Sequence, residues 1–272
     1  MQVKTRIFCS GSEGFTLIEA LLAITIGILI MAALFGFFWI QRGNADLQQD
    51  VAATQQDLRG LNQIFAQNIR MAGYNPQGHD QLPVAGCGVD VAPGFQGVDV
   101  NGNPTKFYDQ SCVAENVSID AAHIAFVADI DGNGQISNND APLEQMAYRF
   151  RPDCANGLGC LEQYSPATGW QLVAQNIDGV QFLYQLNDGT AVAKPTAAQL
   201  HGIRAVTVTI LARAAFPKKG FINDTIYRPP SCPAHLAPRT PGLCADGFNG
   251  DNPWNDNFLR RMLTFTVQCR NI

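Results

Sequence analysis

Charge is scarce in this chain: 15% of its 272 residues are Asp, Glu, Lys or Arg, the formal net charge is −5, and no run of Lys or Arg occurs. That excludes the basic stripe by which duplex nucleic acid is held, so no specific nucleic acid is expected as a partner. Proline is missing before Pro76, which leaves the first quarter of the chain without a helix breaker. Zinc patterns are missing too. There is no Cys-x-x-Cys pair, and His79, His123, His201 and His235 are scattered. With no P-loop, nucleophile elbow, zinc-protease helix or dinucleotide fingerprint, the chain is read as a non-enzyme.

What is present begins with hydrophobicity: 46% of residues are apolar, enough for one ordered globular domain plus an anchor. Residues 15–40 contain no Lys, Arg, Asp, Asn or Pro and a single acid, Glu19. As a helix that run spans about 39 Å, enough to cross a bilayer and too long for a cleaved signal's apolar region. Lys4 and Arg6 precede it, so the positive-inside preference exports the remainder of the chain; Arg42 on the far side weakens the bias slightly. Most of the eight cysteines stand in Gly- and Pro-rich loop sequence, which points to an oxidising compartment.

Glu19 needs a reason, because an acid within a membrane helix costs about 2.5 to 3.5 kcal/mol unless it finds a partner. A snorkelling side chain in an ordinary single-pass anchor would reduce that cost. The segment Gly14-Phe15-Thr16-Leu17-Ile18-Glu19 resembles the type IV prepilin signal. The resemblance implies that a prepilin peptidase cuts after Gly14 and methylates the new N-terminus on Phe15. It also implies that Glu19 neutralises the N-terminal amine of a neighbouring pilin as helices pack in a filament. Arg70-Met71-Ala72-Gly73-Tyr74 and Arg270-Asn271 are similar to the PilW group of minor pilins, which implies pilus assembly, a place near the tip, motility or adhesion, and an associated tip adhesin. Residues 176–182 are also similar to the J-type minor pseudopilins of type II secretion, and the anchor does not separate the two classes. The implied location is the inner membrane, with the C-terminal domain in the periplasm before assembly and on a surface pilus after it.

The expected organisation is a leader (1–14), a transmembrane helix half (15–40), an amphipathic half (41–74) and an exported β-rich domain (75–272). Leu47, Val51, Leu58, Leu61, Phe65, Ile69 and Ala72 recur at three, four or seven residues, as one face of a helix does, and Gly73-Tyr74-Asn75-Pro76 stops it. A dimeric coiled coil is the rival use of that stripe, with Gly60 interrupting it. Strands are predicted at 122–128, 145–150, 170–174, 180–186, 205–212 and 263–269, several of them alternating polar with apolar residues. The class is α+β: a long helix packed on an antiparallel sheet, the ladle fold of pilins, with cysteine-rich loops.

Residues 129–140 fit the twelve-residue calcium loop of EF-hand type, with Asp129, Asp131, Asn133, Gln135, Ser137 and Asp140 as the oxygen ligands of a Ca²⁺ ion. The same composition also makes a metal-free hairpin turn, and Asp140 in place of Glu weakens the fit. A poorer acidic stretch, residues 246–256, reads as a surface loop. Without Cys9 of the leader seven cysteines remain, an odd number. Nearest-neighbour pairing gives Cys87 with Cys112, Cys154 with Cys160 and Cys232 with Cys244, leaving Cys269 as a free thiol or as the true partner of another. Trp170 is expected to pack and Trp254 to offer surface for contact.

Overall fold

The computed structural model describes residues 15–97, 105–117, 119–138, 143–154, 157–231, 248 and 254–271. One helix, α1 (Leu17–Met71), leads the chain. The strands follow in order: β1 (Leu82–Pro83), β2 (Asp90–Val91), β3 (Gly94–Phe95), β4 (Thr105–Tyr108), β5 (Ala114–Val117), β6 (His123–Val127) and β7 (Gln145–Arg151). Then come β8 (Cys160–Ser165), β9 (Gly169–Gln175), β10 (Ile177–Leu186), β11 (Ala191–Val192), β12 (Ile203–Arg213) and β13 (Arg260–Gln268). A 3-10 turn, Ala197–Gly202, precedes β12.

The chain divides into two compact units at Gln49 and Asp50. In the first, α1 carries an 18-residue window of mean hydropathy 2.6, long and apolar enough to cross a membrane. Its side chains are exposed all round, with Leu17 80% and Trp39 70% accessible, a hydrophobic surface on every side that could serve as a membrane anchor. In the second unit, Leu58, Leu61, Phe65, Ile69 and Ala72 of α1 are buried and Val51 is half-buried. This is the stripe expected from the spacing. It packs on a sheet within its own chain, which is the use opposite to a dimeric coiled coil.

The α+β class holds, and the antiparallel strands divide between two sheets. A five-stranded sheet runs β3-β6-β7-β8-β9 and a four-stranded sheet β11-β10-β12-β13, with β1-β2 and β4-β5 as separate ribbons. Chain passes from one sheet to the other at Asn176, whose φ of 58° breaks the extended run between β9 and β10. The crossing is closed by backbone bonds from the Ile177 amide to the Gly159 carbonyl at 3.0 Å and from the Arg213 amide to the Asn176 carbonyl at 2.9 Å. Gly159 is obligatory there, because a Cβ would stand 2.0 Å from the Ile177 carbonyl oxygen.

Helix and sheets share one core. Phe65 is its hub, with ring centroids 4.8 Å from Tyr148 on β7 and 5.7 Å from Phe182 on β10. Burying Leu58, Leu61, Phe65 and Ile69 contributes roughly 6 to 12 kcal/mol. On the opposite face of β6 and β7 a second cluster forms from Leu82, Val84, Phe107, Ala125, Val127, Ile136, Ala147 and Tyr164. All six predicted strands are present within three residues of their expected ends. β8 and the short ribbons were not expected. Cys160–Ser165 follows Gly157-Leu158-Gly159 and sets the polar pair Glu162-Gln163 on successive positions, one on each face, a pattern that reads as loop until β7 and β9 flank it.

Candidate assembly terminus and acidic loop

Gly14 lies outside the described residues, and Phe15 is exposed just ahead of α1. Thr16 caps the helix: its hydroxyl accepts from the Glu19 amide at 3.4 Å and its carbonyl from the same amide at 3.1 Å. Thr16-Leu17-Ile18-Glu19 is therefore also a capping-box sequence, a second signal within the prepilin-like segment. An acid in the first turn suits the helix dipole. Among the described residues the Glu19 carboxylate has no side-chain partner.

The acidic loop is built between β6 and β7. Asp129 is fully buried; its Oδ1 accepts from the Asn133 amide at 3.1 Å and its Oδ2 from the Gly134 amide at 3.0 Å. Asp131 is exposed and holds both the amide and the side-chain nitrogen of Asn133, at 3.0 and 2.8 Å. Asn133 Oδ1 in turn accepts from the Gln135 amide at 2.7 Å. Asp140 lies outside the described residues. Among the described residues the acid that closes the loop is one the sequence pattern did not single out, Glu144. Its Oε1 accepts from the Ile130 and Asp131 amides at 2.8 and 3.3 Å, and its Oε2 from the Ser137 amide at 2.6 Å.

One oxygen each from Asp129, Asp131 and Glu144 lie within 4.8 Å of one another, a group that could hold a cation. Glu144 is fully buried, and burial pushes its carboxyl above the usual range against the pull of the three amides. A twelve-residue template looks for its last acid at position 140, outside the described residues; the ladder bond from the Ala128 amide to the Glu144 carbonyl, at 3.0 Å, brings position 144 to the loop. The helix exit braces the loop. The Asp129 amide bonds the Tyr74 carbonyl at 2.7 Å and Gln77 Nε2 the Gly132 carbonyl at 2.9 Å. Gly134, at φ 78°, leaves room for Gln77, whose Oε1 is 2.7 Å from where a Cβ would be.

Cys87 is bonded to Cys112 and Cys154 to Cys160. Cys232 and Cys244 lie outside the described residues. Among the described residues Cys269 is a free, half-buried thiol, and burial pushes it up to about 12. Trp170 packs against Tyr164 with the Arg149 guanidinium 4.0 Å above its ring. Trp254 is half-buried and lies under the Arg260 guanidinium at 3.9 Å, which covers one face of the ring. Asp256 of the second acidic stretch is paired to the same Arg260, at 2.5 and 2.6 Å.

No family model matches the chain, and no curated protein sequence matches it. Among solved structures it is similar to the type IV-like pilin TTHA1219 from Thermus thermophilus, with 14% identity over 80% of this chain and 96% of that one, at a TM-score of 0.38. So low a score carries no argument about what the chain does.

Proposed function

We propose that the chain is a non-enzymatic filament subunit: a minor pilin of the PilW type, cleaved after Gly14, methylated on Phe15 and packed through α1 into a type IV pilus near its tip. The observation that carries this reading is Glu19, an acid four residues beyond Phe15 in an otherwise apolar helix. In a bilayer alone it is costly; beside the amine of a neighbouring subunit it is neutralised. Prepilin peptidase, other minor and major pilins and a tip adhesin are the proposed partners, and the exported domain passes from periplasm to cell surface. The test is mass spectrometry of the N-terminus from sheared surface filaments and from membranes of the same cells. A methylated Phe15 in sheared filaments supports the pilus. The same terminus confined to membranes favours a J-type pseudopilin, for which residues 176–182 speak. An intact Met1 removes both.

We further propose that the loop from Asp129 binds Ca²⁺, with Glu144 supplying the acid that the linear template sought in Asp140. Three carboxylates at one end of β6 and β7 support this. Calcium added to chelator-treated protein is expected to raise Tm, and Asp129→Ala with Asp131→Ala to abolish the rise. An unchanged response in that double variant sinks the site.

A further inference from the structure

Beyond Gln49, exposed large apolar side chains among the described residues stand singly at Ile64, Val113 and Leu172 and are gathered at one end of the four-stranded sheet. The gathering comprises Phe216 and Ile222, 73% and 67% exposed, with Ile226 and Met262. Met262 opposes Leu211 near the end of β12, and the segment that leaves β12 carries the other three. Backbone bonds hold that segment to its own domain. The Lys218 amide donates to the Asn257 carbonyl at 2.8 Å and the Asn223 amide to the Asp256 carbonyl at 2.7 Å. Between them Gly220, at φ 79°, closes a turn in which the Phe221 amide reaches the Lys218 carbonyl at 3.1 Å. A loop held in this way displays Phe216 and Ile222 by construction and forgoes the burial that apolar side chains of their size otherwise gain.

Lys218 and Lys219 stand between the two displayed side chains, and residues 214–222 hold no acid in a chain of net charge −5. Arg228 and Arg261 add to the positive side. The acids near that end are Asp57, Asp224 and Asp256, the last already paired with Arg260. Bulky apolar side chains interleaved with lysines match the boundary of an anionic bilayer, where apolar groups enter below the headgroups and ammonium groups reach the phosphates. The chain also keeps such a surface within reach. A hollow lined by Gln56, Leu58 and Ala212 sets the first helical turns of the second unit beside the end of β12 from which the loop leaves. The last helical turn lies at the opposite end, where the Asn271 side chain donates to the Arg70 carbonyl at 2.9 Å. The second unit thus presents the loop on the side by which the chain enters it, after a segment long and apolar enough to cross a membrane.

We propose that the loop of residues 214–222 is a docking surface for an anionic lipid bilayer, with Phe216 and Ile222 inserted at the headgroup boundary and Lys219 on lipid phosphate. This rests on the reading of α1 as a membrane anchor and is independent of cleavage, methylation or any filament. Docked in this way, the loop is closed to protein partners until the domain leaves the membrane.

The experiment reconstitutes the full chain in vesicles of phosphatidylcholine with or without phosphatidylglycerol. Benzoylphenylalanine is placed at Phe216, at Ile222 or, as a control, at Val113, which is 61% exposed in the turn between β4 and β5. Flotation with the vesicles reads the anchor, and mass spectrometry of the photoadducts reads the loop. With phosphatidylglycerol present, lipid adducts at Phe216 and Ile222 are expected to exceed those at Val113 at least about fivefold. Lys219→Gln is expected to lower the adduct at Ile222 about fivefold, the weight of one lysine near an anionic surface. Lys219 is exposed, so that variant is expected to keep the wild-type Tm. A chain that does not float overturns the anchor and the proposal together. A chain that floats overturns the proposal alone if its adducts are equal at all three positions, are indifferent to phosphatidylglycerol or to Lys219→Gln, or join a second copy in place of lipid.

Discussion

Arg260 shows how much one side chain does in this domain. Its guanidinium, fully buried, donates to Asp178 on β10 at 2.6 Å and in a fork to Asp256 at 2.5 and 2.6 Å, and it roofs Trp254. It thereby ties the long connection between β12 and β13 to the sheet. Removing it leaves Asp178 buried with only Arg213, 3.5 Å away. Arg260→Ala is expected to cost about 3 to 5 kcal/mol in urea unfolding, and Arg260→Lys to recover little, because an ammonium cannot make the fork. Glu144 makes the complementary case for pH. Burial raises its folded pKa above the unfolded value, so the stability it lends is fully present below the unfolded value and is lost as pH rises through the folded one. In calcium-free buffer, wild type is expected to lose stability relative to Glu144→Gln from about pH 4 upward. Urea midpoints measured across that range check it; parallel curves would show that Glu144 does not titrate with folding.

Among the elements, α1 and the long strands were legible in the sequence, because each repeats its apolar residues at its own period. Leu58 to Ala72 recur on one helical face, and β10 and β12 are continuous enough in Val, Ile and Phe to be recognised without neighbours. Other parts of the fold depend on contacts far apart in sequence. β8 is a strand because β7 and β9 lie beside it, and Glu144 joins Asp129 because β6 and β7 pair; no local pattern encodes either. The division into two sheets rests on Asn176 and on the room left by Gly159. Gly159→Ala is expected to destabilise the second unit by roughly 2 to 4 kcal/mol, since a backbone oxygen cannot rotate away from the added methyl. Phe65→Ala, which empties the centre of the helix–sheet core, is expected to cost about 3 to 5 kcal/mol. Thermal melts of both variants against wild type give the comparison.

At the scale of the whole molecule, one residue is asked to explain why a chain with its own complete core keeps an acid inside an apolar helix. Two roles compete for Glu19. As part of a capping box it stabilises the start of α1, and Gln serves that role nearly as well as Glu. As the counter-charge to a neighbour's amine it acts only in an assembly, and there Gln has no charge to offer. Glu19→Gln therefore separates them. In either case the variant is expected to insert in the membrane and to keep the wild-type melting of the second unit, whose buried residues all lie beyond Gln49. If capping is the whole role, the fraction recovered in sheared filaments stays at the wild-type level. If the acid pairs with an amine away from water, that fraction falls at least about tenfold, because a charge-assisted bond between desolvated groups is worth more than the roughly 1.4 kcal/mol that a tenfold change requires. Glu19→Asp, which keeps the charge on a shorter arm, is expected to recover part of the loss, and quantitative blotting of filament against membrane fractions reads all three.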